Sequence, residues 1–149
     1  MKHQLSTSIE IDAPVEVVWD VLTDLNGYAE WNPFIVSSTG EVAVGERLTN
    51  VMSPPGGRTM KFRPVVTDVQ HEAVFEWLGR LGVRGIFDGR HCFELEPTPS
   101  GTRLVHSESF SGVAVRALRA GLDTNTLAGF EAMNLAIKAH AEARTPCGS

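Results

Sequence analysis

Three residues in the second half of the chain have the types and spacing to do chemistry: His91, His106 and Glu108. They fall in two strand-like runs, 85–96 and 102–110, in which side chains alternate between faces. His91 shares a face with Phe87, Phe93 and Leu95, and His106 and Glu108 share one with Leu104 and Phe110. If the runs form a hairpin with Leu95 opposite Leu104, then Phe93 lies opposite His106 and His91 opposite Glu108. Opposed residues sit about 5 Å apart at Cβ. A histidine and a carboxylate then meet on an apolar face, where burying either alone is costly and pairing offsets part of that cost. Three readings stand. The pair fixes the sheet as a buried hydrogen bond. Alternatively, together with His106, it orients the polar group of a mostly apolar ligand. Or His91 and Glu108 are catalytic, as general acid and base, because a carboxylate in an apolar site resists ionisation and histidine titrates near neutrality. No nucleophile accompanies them: Ser107, Ser109 and Ser111 alternate onto the face opposite His106.

The elements that must position these groups are legible around them. Thr7, Ile9 and Ile11 alternate with polar residues, as in a half-buried strand. Pro14 suits a first helical turn, and only Asp12 before it offers a side-chain oxygen as N-cap. Val15, Val18, Trp19 and Leu22 then make one apolar helical face. Asn26-Gly27 ends that helix. Tyr28 to Trp31 reads as a short second helix stopped by Asn32-Pro33, because the residue before proline avoids the helical region. Runs near 35–42, 46–53, 59–70, 73–81, 85–96 and 102–110 read as six strands. Val44-Gly45, Pro54-Pro-Gly-Gly57, the Gly82 region and Pro97-Thr-Pro-Ser-Gly101 separate them as turns, so an antiparallel meander is expected. Pro54-Pro-Gly-Gly57 lacks a following Lys-Ser/Thr and leads into a strand, so it reads as a turn and not as a phosphate loop. From Val115 to about Ala143 the period is helical. Leu118, Leu122, Thr126, Phe130, Met133 and Ile137 form one stripe, with His140 near the end where it would meet the helix dipole. Gly121 and Gly129 interrupt it and point to something packed close, either the sheet or a ligand.

Helices segregated from an antiparallel sheet make the fold class α+β, in the order β-α-α-β6-α. The period-two faces also nominate apolar residues for the interior: Met60 and Phe62, then Phe75, Trp77 and Leu81, with Phe130 and Met133 facing them from the long helix. Tyr28, Trp31 and Phe34 read either as a lid over a cavity or as packing of the short helix. Arg58, Arg63, Arg84 and Arg90 are scattered and read as solvated.

Size and composition set the bounds. A chain of 149 residues with 42% hydrophobic and 21% charged residues is ordinary globular material. A formal charge of -5 without a Lys/Arg cluster speaks against a nucleic-acid partner. No apolar run approaches the roughly 18–20 residues of a membrane span, so no integral membrane association is expected, and no signal-peptide core is visible; a cytoplasmic location is the expectation. Cys92 and Cys147 are expected to stay unpaired. No Cys-x-x-Cys or His-x-x-x-His spacing occurs, so no metal is expected. Nothing in the sequence fixes an oligomeric state.

Two stretches carry a resemblance: Ile11-Asp-Ala-Pro-Val-Glu-Val-Val-Trp-Asp-Val-Leu-Thr-Asp24 with Tyr28-Ala-Glu-Trp-Asn-Pro-Phe34, and Ser107-Glu-Ser-Phe-Ser-Gly112 with Gly129-Phe-Glu-Ala-Met-Asn-Leu-Ala-Ile-Lys-Ala-His-Ala-Glu142. Over nearly its whole length the chain resembles the START-like (SRPBCC) superfamily, the polyketide cyclase/dehydrase and birch-pollen-allergen-like group, and within it the small single-domain bacterial members. The resemblance implies a helix-grip fold over residues 1–144, with 145–149 a flexible tail: a seven-stranded curved antiparallel sheet around the long C-terminal helix, with an apolar tunnel between. Relatives bind lipids, sterols, quinones, polyketides or plant hormones; some catalyse cyclisation or dehydration, and others act as co-chaperones. Gly40-Glu-Val-Ala-Val-Gly45 differs from the glycine-rich loop of the plant allergens, and the two-histidine, one-carboxylate iron pattern of ring hydroxylases is absent. The expectation is a cavity for a small hydrophobic molecule (lipid, isoprenoid or aromatic polyketide), with no cofactor. Trp31, Phe34, Met60, Phe62, Trp77, Phe87, His91, His106, Glu108, Phe110, Phe130 and Met133 would line it. A cyclase/dehydratase using His91 and Glu108, and a protein-interaction module, are the alternatives.

Overall fold

The computed structural model describes residues 2–80 and 85–144. Leu81, the Gly82 turn, Arg84, Cys147 and the tail fall outside them. The first strand, β1 (Lys2–Ile11), is followed by α1 (Val15–Thr23), a 3-10 turn (Leu25–Gly27) and α2 (Tyr28–Trp31). Next come β2 (Ile35–Thr39), β3 (Thr49–Met52), β4 (Met60–Phe62), β5 (Val65–Gln70), β6 (Val74–Arg80), β7 (Asp88–Thr98) and β8 (Gly101–Ser111). The last described elements are α3 (Val115–Gly121), a π turn (Leu122–Thr126) and α4 (Leu127–Arg144). The strands form a five-stranded sheet, β1-β8-β7-β6-β5, and a three-stranded sheet, β2-β3-β4. All pairs are antiparallel. This is the helix-grip arrangement, with α4 packed on β1, β8 and α1.

Among the described residues the strand count corrects the expectation of seven to eight. Run 59–70 breaks at Arg63-Pro64 into β4 and β5, which belong to different sheets. Proline has no N–H for a ladder and biases its neighbour, so the break falls where the chain must change sheets. Runs 35–42 and 46–53 shorten to β2 and β3, and Arg47 keeps only an isolated bridge to Val65. The first helix is entered differently as well. Pro14, extended at ψ 156°, is itself the N-cap, without a side-chain bond. Asp12 instead donates its backbone N–H to Glu142 Oε2 at 2.8 Å, tying the entry to the end of α4.

The β7–β8 register is the one set by Leu95 opposite Leu104: Phe93 pairs with His106 and His91 with Glu108. The inward faces of these strands bury His91, Phe93, Leu95, Leu104, His106 and Phe110. From the other side Phe130, Met133, Ile137 and Ala141 of α4 are fully buried. Gly129 explains how closely the layers approach. A Cβ there would lie 2.4 Å from the Phe34 ring, so the glycine admits an aromatic edge against the helix backbone. Gly121 is the opposite case, with nothing within 4 Å of an added Cβ.

Candidate functional site

Between the sheets and the π turn lies a cavity of about 350 Å³, at the small end of the range of roughly 300–1,000 Å³ for ligand pockets. Phe34, Met52, Phe62, Trp77, Phe87 and Phe110 give it an apolar wall, and Leu118, Leu122, Asn125 and Thr126 cover it from the helical side. Phe87 and Phe110 stack at 5.4 Å. Arg58, Met60 and Leu118 are exposed and mark where it meets solvent. The Pro54-Pro-Gly-Gly57 turn reaches across to the π turn, where a Cβ on Gly56 would sit 3.3 Å from Asn125 Oδ1. A π turn adds a residue to the helical repeat, and such turns often lie at functional sites; here it brings Leu122, Asn125 and Thr126 to the cavity wall.

Three polar side chains line this wall from the strands: Asn50, Glu108 and, at the exposed rim, Arg80. Asn50 is buried, and its Oδ1 accepts a 2.6 Å bond from Ser38 Oγ. Its Nδ2 has no partner. Glu108 is held by space as much as by bonding: a Cβ on Gly89, on the neighbouring strand, would come within 2.4 Å of Glu108 Oε2. Behind Glu108 runs a buried polar chain. Glu108 Oε1 lies 3.3 Å from His91 Nδ1, although that nitrogen has no aligned hydrogen bond. His91 Nε2 is 2.6 Å from His106 Nε2, and His106 Nδ1 is 2.8 Å from Asn134 Oδ1. Asn134 Nδ2 donates to Thr7 Oγ1 at 2.8 Å, and Thr7 Oγ1 donates to the His106 carbonyl at 3.1 Å. The two rings are packed among aromatics. Trp77 stacks on His91 at 4.8 Å, and Phe130 on His106 at 4.1 Å.

Burial, and next to it the neighbouring His91, hold the His106 pKa well below the ordinary histidine value, while its bond to Asn134 opposes the shift. The folded protein therefore keeps His106 neutral, whereas the unfolded chain takes up a proton near pH 6.5. This contribution to stability is complete above that pH and is lost as pH falls below it, at no more than about 1.4 kcal/mol per pH unit for one group. Urea unfolding of wild type and His106→Gln between pH 7.5 and 5 should show the steeper acid loss in wild type. Equal slopes would mean that His106 is not held neutral.

Of the residues nominated from sequence, Phe34, Met60, Phe62, Trp77, Phe87, Glu108 and Phe110 line the cavity. His91, His106, Phe130 and Met133 are fully buried behind its wall. Trp31 lies elsewhere, stacked on His140 at 5.5 Å, so His140 meets an aromatic ring. Tyr28 is buried, with its hydroxyl donating to the Leu22 carbonyl at 2.5 Å. Burial and the nearby Asp24 raise its pKa. Cys92 is a free thiol, and burial with nearby Glu94 and Glu76 pushes its pKa up to about 12. Asn50, Asn134 and Thr7 are not among the residues nominated from sequence, although the alternation places Thr7 on the inward strand face with Ile9 and Ile11. Asn134 did carry a signal, as a polar residue beside Met133 and four after Phe130, on the flank of the buried stripe. Among the described residues no cluster of three or more His, Cys, Asp or Glu is arranged to hold a metal ion, and no helix is long and apolar enough to cross a membrane.

A family model described as polyketide cyclase / dehydrase and lipid transport matches residues 2–142. The chain belongs to this family. Solved structures share the cyclase/dehydrase-family fold at low identity. The Zhui aromatase/cyclase from Streptomyces sp. R1128 is 18% identical with a TM-score of 0.79, over 100% of this chain and 99% of that one. Protein MLL2253 from Mesorhizobium loti is 22% identical with a TM-score of 0.67, over 92% and 98%. The di-domain ARO/CYC StfQ from the steffimycin biosynthetic pathway is 15% identical with a TM-score of 0.71; 97% of this chain matches about half of it, 52%. At these identities the likeness is one of fold. No curated protein sequence matches the chain.

Proposed function

We propose that this cyclase/dehydrase-family protein binds a small, mostly apolar molecule carrying at least one oxygen, an aromatic polyketide fragment or a short lipid, in the cavity beneath the π turn. The observation that carries this is a mostly apolar enclosure whose polar lining includes the buried, unpartnered Asn50 amide and the Glu108 carboxyl. Apolar burial supplies affinity at about 25 cal/mol per Å² before the costs of association. A buried N–H without a partner is costly, and a ligand carbonyl or hydroxyl would relieve it. Binding of naphthalene, 2-naphthol and 2-acetylnaphthalene, followed by tryptophan fluorescence, tests this reading. The oxygenated probes should bind more tightly than naphthalene. Glu108→Gln should weaken 2-naphthol up to about tenfold, the worth of a hydrogen bond, and leave naphthalene unchanged. Equal affinities for the three probes would refute the polar part of the proposal.

A second reading has one specific observation behind it. Glu108 Oε1 and the unpartnered His91 Nδ1, 3.3 Å apart, could pass a proton to and from a bound substrate. On that reading Glu108→Gln abolishes turnover of a cyclisation or dehydration substrate far beyond its effect on affinity. Surviving turnover would end it.

A further inference from the structure

We infer that Thr7, Asn134 and His106 are positioning residues that lock His91 in its Nε2–H form and leave His91 Nδ1 turned toward Glu108 as the one free basic nitrogen behind the cavity wall. The direction of the chain follows bond by bond. The Thr7 hydroxyl has a single proton, and it goes to the His106 carbonyl, which can only accept. Its lone pair therefore receives Asn134 Nδ2. That fixes the amide with Oδ1 toward His106 Nδ1. An amide oxygen only accepts, so His106 carries its proton on Nδ1. Burial keeps His106 neutral, so its Nε2 holds a lone pair. The 2.6 Å contact between the two Nε2 atoms then requires the proton on His91. His91 Nδ1 is left buried and without an aligned partner, 3.3 Å from Glu108 Oε1.

The consequence is a site that holds one transferable proton. A bare Nδ1 facing a carboxyl group at 3.3 Å gives one proton two places to sit. When Glu108 holds it, the O–H bond breaks as the N–H bond forms, giving carboxylate and imidazolium; the reverse step restores the acid and the neutral ring. Either way the pair is neutral overall. The chain cannot relay that proton onward, because it ends on a backbone carbonyl. It orients and does not conduct. The use of this proton toward a ligand rests on the binding reading above, whereas the direction of the chain does not.

Long-range proton–nitrogen correlation spectra of ¹⁵N-histidine-labelled, ligand-free protein at pH 7 test the inference directly. Variants of the exposed His71 and the partly exposed His3 and His140 assign the remaining two rings. Wild type should show His106 protonated on Nδ1 and bare on Nε2, with His91 protonated on Nε2. The reversed pattern, His106 protonated on Nε2, would overturn the inference. It would mean a turned Asn134 amide and a Glu108 carboxylate accepting from His91 Nδ1. Thr7→Val, nearly isosteric and suited to a strand, removes the anchor and should give mixed tautomers on both rings, with Thr7→Ser restoring the single pattern. A wild-type spectrum in Thr7→Val would also overturn it. Because no ligand is involved, failure of the naphthalene probes to bind would count against the binding reading alone.

Discussion

Phe130→Ala is expected to destabilise the protein by about 3–5 kcal/mol in urea unfolding, the range for emptying a large aromatic site in a core. Phe130 is fully buried and lies where helix, sheet and α2–β2 segment converge. Its ring stacks on His106 at 4.1 Å, meets Phe34 edge-on at 5.7 Å and reaches His91 at 5.1 Å. Gly129 beside it cannot shift to fill the gap, because the Phe34 ring already abuts its backbone. The void would also open a path for water to the two histidines, which a purely apolar core would not suffer. A loss below about 1 kcal/mol would mean that the site collapses freely, and that α4 is not gripped as described.

Gly79→Leu is expected to abolish binding of all three naphthalene probes while leaving stability unchanged or higher. Gly79 lies two residues after Trp77 on β6, so its side-chain direction is the inward one. It lines the cavity, and the nearest atoms to an added Cβ are Pro64 Cβ at 3.7 Å and Gly89 O at 3.9 Å, ordinary contacts. A leucine Cβ fits there, its branched end would extend into the ligand's volume, and a strand interior favours it over glycine. Affinity should fall by more than tenfold, or about 1.4 kcal/mol. Undiminished binding by a folded Gly79→Leu protein would move the site elsewhere on the surface.

The sequence made the fold readable because period and turn chemistry agree along most of the chain. Leu95 and Leu104 flank a tight Pro-Ser turn, and that alone set the pairing of His91 with Glu108. Strand ends were less legible. Run 59–70 is apolar enough to read as one strand, and only the tertiary arrangement reveals that Pro64 hands the chain from one sheet to the other. The cavity was harder still. Period two says which side chains face inward, but not which of them meet the helix and which meet empty space. Phe93 and Phe110 share the inward side, yet Phe93 packs solidly against Phe75 and Trp77 while Phe110 lines the hollow. The π turn decides much of this, and no residue type announces it. Asn134 and Thr7 are far apart in sequence and join the histidines only because α4 crosses β1.

Native mass spectrometry of the protein purified from its own host most directly tests the claim that the cavity is a binding site. A non-covalent adduct of one small, mostly apolar, oxygen-bearing molecule is predicted on the wild type and should be absent from Gly79→Leu. Bare protein mass in both, together with a wild type that takes up none of the naphthalene probes, would contradict it.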